Sequence, residues 1–96
     1  MKTLYIVRHG ETDWNKMGKY QGITDIPLNE NGLNQAKACG NALKDVTFDR
    51  ILSSDLSRAL VTAETIRGDR TTSITVDKRL RELNFGDWEA MLFSDI

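Results

Sequence analysis

The residues with the greatest chemical potential stand together at Arg8-His9-Gly10-Glu11-Thr12, with Asn15 close behind. A neutral imidazole can attack phosphorus as a nucleophile, and a neighbouring guanidinium can grip phosphoryl oxygens in a planar, bidentate manner. Gly10 lets the backbone turn tightly beside the imidazole. Taken alone, His9 also reads as an ordinary polar loop residue. A second concentration is Ser53-Ser54-Asp55-Leu56-Ser57-Arg58-Ala59. Small hydroxyl residues ahead of an apolar period mark a helix start, where unbonded amides and the positive end of the dipole attract anions. Arg58 then falls in the first turn, where a cation opposes the dipole. Either a bound phosphate or the Asp55 carboxylate must offset it. The third segment, from Arg79 to Glu89, holds three carboxylates, Glu82, Asp87 and Glu89, near apolar Leu83 and Phe85. An apolar flank raises a carboxyl pKa and suits it to donating a proton. Residue types do not choose among the three.

Those residues need a scaffold, and the hydrophobic pattern supplies one. Thr3 to Val7 is β-branched, aromatic and nearly all apolar, as expected of a first strand covered on both faces. The Arg8-His9 cluster follows its carboxyl end, where ligands bind in open α/β sheets. Gly10, Asn15, Gly18, Gly22 and Asp25 punctuate a long polar loop that closes at Pro27. Leu33, Ala36, Gly40 and Leu43 recur at helical spacing, with Asn29 as N-cap and Glu30 favourable in the first turn. Arg50 to Ser53 reads as a second strand. Leu56, Ala59, Ala63 and Ile66 predict a second helix, opened by Ser54 or Asp55 and ended at Gly68. Ser73 to Val76 is a third strand, and the segment from Asp77 onward reads as irregular. Alternation of strand and helix predicts the α/β class with a mostly parallel sheet.

Composition narrows the function. A chain of 96 residues is one small domain or part of one. Hydrophobic residues at 40% and charged residues at 28% are those of a globular protein that folds in water. Thirteen Lys plus Arg against fourteen Asp plus Glu leave a net charge of −1, so no global basic field exists to hold nucleic acid or an anionic membrane. An anion site must be built locally. The lone Cys39 forms no internal disulfide, and with a single His there is no zinc ligand set, which fits a reducing, cytoplasmic setting. The apolar run Leu4-Tyr5-Ile6-Val7 is too short for a signal-peptide core or a bilayer span.

Arg8-His9-Gly10-Glu11-Thr12 with Asn15, then Gln21-Gly22, Asp25-Ile26-Pro27-Leu28, Gly32, Gln35-Ala36, Ser53 to Ala59, Thr62-Ala63 and Leu80 to Glu89 occur in one order along the chain. Together they resemble the histidine phosphatase superfamily, in its phosphoglycerate-mutase-like branch. The resemblance implies a three-layer α/β sandwich. It also implies that His9 is the nucleophile that becomes phosphohistidine, and that Arg8 and Arg58 clamp the phosphoryl oxygens with Asn15 beside them. Gln21 and Gly22 would line the substrate pocket, and Glu82 would protonate the leaving oxygen and later activate water. No metal or cofactor is implied, because Arg, His and backbone amides neutralise the charge. The partner is a small phosphorylated metabolite.

Two departures qualify the resemblance. The family's site has a second His on a later strand, and this chain has His9 alone. Members also run to about twice this length, within the range of a single domain. The expectation is therefore that residues 1–96 are the N-terminal half of one such domain. The missing strand belongs between the first strand and the one at Arg50 to Ser53. Its absence is expected to leave the first strand without a neighbour on that side, open to strand exchange in a homo-oligomer. The run Gly86-Asp87-Trp88-Glu89 is more similar to phosphatases of small monoesters than to mutases, and Gln21-Gly22 stands where mutases usually have Thr-Gly. Hydrolysis is the favoured reading. A phosphoglycerate mutase is the alternative within the family, and a non-catalytic phosphate-binding module the alternative outside it.

Overall fold

The computed structural model describes residues 2–19, 25–82 and 88–95, the last segment and residues 2, 81 and 82 by their backbone path. Strand β1 (Lys2–Arg8) is the apolar run predicted, one residue longer at each end. A single helical turn, α1 (Asp13–Lys16), follows in the loop, and α2 (Glu30–Ala42) is the first long helix. Then come β2 (Arg50–Ser53), α3 (Ser57–Arg67), β3 (Ile74–Val76), a 3₁₀ turn (Lys78–Glu82) and β4 (Trp88–Asp95).

The sheet order is β1-β4-β2-β3. β2 and β3 pair in parallel, while β4 runs antiparallel to both β1 and β2. β1, β2 and β3 thus point the same way, consistent with the α/β class. The expected gap beside β1 is filled from within the chain. Segment 88–95, read from sequence as irregular and without a closing strand, lies in that position. The physical reason is legible afterwards. Ala90-Met91-Leu92-Phe93 is a short apolar run of the kind that makes a central strand, and β1 and β2 both present backbone groups that demand partners.

One core sits between the sheet and the two long helices. Phe48, Ile51, Ala63 and Ile66 are buried together, with Tyr5, Val7, Cys39, Leu43, Val46 and Ile74 packed around them. The Tyr5 ring meets Phe48 edge-on, with centroids 5.7 Å apart. Each fully buried Ile or Phe contributes about 1.5–3 kcal/mol. Coverage on both faces of β1 was expected. Among the described residues Tyr5 and Val7 face the core, whereas Leu4 and Ile6 alternate outward and are 47% and 45% exposed.

Helix α2 begins as predicted, the Asn29 side chain accepting from the Gly32 N–H at 2.7 Å. Its buried stripe is turned from the predicted one. Gly32 and Ala36 are buried and Leu33 is exposed, because the loop after β1 packs on Gly32. The N-cap of α3 is Leu56, whose side chain cannot cap, rather than Ser54 or Asp55. Ser54 Oγ accepts from the Leu56 N–H at 3.4 Å, and the Ser57 N–H donates to the Asp25 carboxylate at 2.7 Å. Gly68 ends α3 at φ +57°, a left-handed conformation suited to glycine. Arg70 then ties both helix C-termini to the core. It donates to the carbonyls of Ile66 (2.6 Å), Arg67 (3.0 Å), Val46 (3.0 Å) and Leu43, and its guanidinium lies 4.8 Å from the Phe48 ring centre.

Candidate active site

β1 delivers Arg8 and His9 to its carboxyl end, and its pairing with β4 shifts register between Val7 and Arg8. Arg8 is exposed, while His9 is only 9% exposed. The His9 Nδ1 lies 2.5 Å from the Gly10 carbonyl oxygen. A carbonyl only accepts, so Nδ1 is the donor in this bond, and in the neutral ring the lone pair then falls on Nε2. An open cavity of about 560 Å³ is lined by Arg8, His9, Gly10, Glu11, Asn15 and Gln35.

The loop that holds His9 is pinned from both helices. On the α3 side the Gly10 N–H donates to Thr62 Oγ1 at 3.3 Å, and that hydroxyl donates to the Arg58 carbonyl at 2.7 Å. Arg58 itself is 1% exposed, in the first turn of α3. On the α2 side the loop backbone presses against the helix with no side chain between. A Cβ on Gly10 would come 2.3 Å from the Gly32 carbonyl oxygen, and a Cβ on Gly32 would come 2.0 Å from that of Glu11. Glycine is required at both positions. The Glu11 N–H donates to Gln35 Oε1 at 2.8 Å, the Asn29 N–H donates to the Glu11 carbonyl at 3.0 Å, and Asn29 Nδ2 donates to the Glu11 carboxylate at 3.0 Å.

Asn15 reaches the cavity wall from α1, where its Oδ1 accepts from the Thr12 N–H at 3.0 Å and its own N–H donates to Thr12 Oγ1 at 3.2 Å. This reciprocal cap fixes the side chain. The amides opening α3 were expected to attract phosphate. The Ser57 amide already has an anion, because the Asp25 carboxylate sits on it. Those Ser57 bonds hold the Asp25 carboxyl below the usual carboxylate value, and the Arg58 cation adds to the effect.

Arg8, His9 and Asn15 therefore share one cavity, whereas Arg58 does not line it and is linked to Gly10 by its backbone carbonyl, through Thr62. Gln21 and Gly22 lie outside the described residues, as do Leu83, Phe85 and Asp87. Glu82 is placed at the end of the 3₁₀ turn by its backbone, and Glu89 lies on β4. Three residues had no assigned role in the sequence and have one here: Gln35, Thr62 and Asp25. Gln35 stands three positions after Gly32 and Thr62 four after Arg58, so each shares a helix face with a site residue. That spacing was the available signal. Among the described residues no group of His, Cys, Asp and Glu could hold a metal ion, and no helix is long and apolar enough to cross a membrane.

Comparison with known proteins places this geometry. The family described as the histidine phosphatase superfamily (branch 1) matches residues 4–96. Among curated proteins, the uncharacterized phosphatase PhoE of Bacillus subtilis is 45% identical over 91 residues, which cover 95% of this chain and 47% of that protein. The adenosylcobalamin/alpha-ribazole phosphatase of Salmonella typhimurium is 41% identical over 93 residues, covering 97% of this chain and 46% of that one. Among solved structures, phosphoserine phosphatase from Entamoeba histolytica, in complex with 3-phosphoglyceric acid, superposes with a TM-score of 0.74 at 46% identity. That match covers 92% of this chain and 43% of the other. The chain spans about half the length of the curated relatives it matches.

Proposed function

The chain belongs to the histidine phosphatase superfamily, and from that premise we propose that it forms the N-terminal half of a single catalytic domain that hydrolyses small phosphate monoesters through a phosphohistidine. The observation that carries this reading is the 2.5 Å bond from His9 Nδ1 to the Gly10 carbonyl, which supports Nε2 of the neutral ring as the nucleophilic nitrogen. Nε2 attacks phosphorus, the bond from phosphorus to the ester oxygen breaks, and the Glu82 carboxyl gives its proton to the departing oxygen. Water then attacks the phosphohistidine, the Glu82 carboxylate takes its proton, and the P–N bond breaks to release phosphate and restore His9. Arg8 and Arg58 neutralise the phosphoryl oxygens as charge develops, with Asn15 beside them, and Gln21 and Gly22 line the pocket for the rest of the substrate. The remainder of the longer protein supplies the family's second His. A small phosphorylated metabolite is the partner, and a reducing cytoplasm suits the unpaired, half-buried Cys39.

The test is rapid quenching of the full-length protein with radiolabelled phosphoserine, followed by His9→Ala. An acid-labile, alkali-stable label that disappears in His9→Ala is expected. Undiminished turnover in that variant would remove His9 as the nucleophile.

A further inference from the structure

Two hydrogen bonds at His9 meet in one peptide unit. The Gly10 carbonyl that accepts from His9 Nδ1 at 2.5 Å belongs to the same peptide plane as the Glu11 N–H. That N–H donates to Gln35 Oε1 at 2.8 Å. We propose that Gln35 is a positioning residue that orients and polarises His9 through the Gly10–Glu11 peptide, acting as the third member of a His–peptide–Gln relay. The proposal rests on His9 as the nucleophile and adds a residue to that machinery.

A peptide plane is rigid, so fixing its N–H also fixes the direction of its carbonyl. Without an acceptor on the Glu11 N–H, the plane loses the bond that sets its angle most directly, while Thr62 and Asn29 still hold the residues on either side. Hydrogen bonds in series also strengthen one another, and an acceptor on the N–H makes the carbonyl a better acceptor for Nδ1–H. That stabilises the imidazole as the Nδ1–H tautomer and favours the positive charge that develops on the ring when Nε2 bonds to phosphorus. The usual third group behind a catalytic His is a carboxylate or a carbonyl held directly on the ring. Here a neutral amide on α2 does the same work one peptide further away. Gln35 is exposed and anchored on a helix capped by Asn29, so its removal leaves the core untouched.

His9 is the sole histidine of residues 1–96, and in the full-length protein its imidazole nitrogen signals are those lost in His9→Ala. Nitrogen-15 NMR and pre-steady-state phosphohistidine formation are both measured in the full-length protein for wild type, Gln35→Met and Gln35→Glu. Gln35→Met has similar size without an acceptor, and Gln35→Glu keeps one. In Gln35→Met the Nδ1–H signature gives way to a mixture of tautomers, and phosphorylation slows about tenfold with KM within about twofold. Gln35→Glu retains the wild-type tautomer. A Gln35→Met protein with unaltered imidazole signals and an unaltered phosphorylation rate overturns the relay. If wild type forms no phosphohistidine while Gln35→Met still shifts the tautomer, the proposed reaction fails and the relay stands.

Discussion

A single methyl group added at Gly32 tests how tightly the site is built. The Cβ of Gly32→Ala would lie 2.0 Å from the Glu11 carbonyl oxygen, 2.7 Å from its nitrogen and 2.9 Å from its carbonyl carbon. All three neighbours are backbone atoms, so no side chain can swing aside. Real Cβ contacts stay beyond 3.0 Å, and the loop must withdraw by about 1 Å or more to restore van der Waals distances. Two energies oppose each other. Alanine gains about 1 kcal/mol over glycine in a helix, less near its first turn, whereas forced overpacking costs about 1–3 kcal/mol. The net loss is about 0–2 kcal/mol, and each kcal/mol lowers Tm by about 2–4 °C in a domain of about twice this length. The catalytic cost is larger, because a displacement of about 1 Å at a reacting group costs on the order of 100-fold in rate. Moving Glu11 also stretches its bonds to Gln35 and Asn29. Thermal unfolding by circular dichroism gives the first number, and phosphohistidine formation in the full-length protein gives the second. Gly40→Ala is the control. Its Cβ would meet Thr65 and Ile66 backbone at 3.1 and 3.3 Å, so α2 and α3 part by tenths of an ångström and activity holds. A Gly32→Ala protein with wild-type Tm and wild-type rate would refute the contact.

Two further outcomes follow from charges placed on backbone groups. Asp25→Ala removes the external cap of α3 and is expected to cost about 1 kcal/mol, with Asp25→Asn recovering part of it; urea denaturation of the two variants measures both. Because the Asp25 pKa lies below its ordinary value of 3.8, its contribution is full above that pH and fades as pH falls through the lower folded-state pKa. The stability difference between wild type and Asp25→Ala should therefore shrink in acid, and a difference independent of pH would contradict the bond. Arg70→Met leaves carbonyls at the ends of both helices without their donor and should cost about 2 kcal/mol, read as a lower midpoint of denaturation with activity per folded molecule unchanged.

The strand and helix pattern was legible wherever one covered face governs the spacing. β2 matches residue for residue, and α3 buries the predicted Leu56, Ala59, Ala63 and Ile66. The reading failed where a distant segment decides. Leu33 lies outward because the loop at Glu11 occupies the face beside Gly32. Ser54 and Asp55 do not cap α3 because Asp25, far back in the chain, reaches its first amide. β4 went unread because the demand for a strand there comes from the unpaired edges of β1 and β2 rather than from its own spacing. At the site, residue types sufficed to bring out Arg8, His9 and Asn15, which share the cavity. The hydrogen-bond partners Gln35 and Thr62 were marked only by their helical spacing from Gly32 and Arg58, since a Gln on an exposed helix face carries no chemical signature of its own.

The pairing of β1 with β4 also orders events in time. β2 and β3 are joined through α3 and pair in parallel over a short stretch of chain. The β1–β4 ladder joins Lys2 to Asp95 and Arg8 to Trp88, with nearly all the intervening sequence between them. Closing so long a loop carries the largest entropic cost in the molecule, and contacts of high sequence separation slow folding. The contacts of α2, β2 and α3 around Phe48 and Ile51 are closer in sequence and are expected to form first, with β1 docking on β4 afterwards.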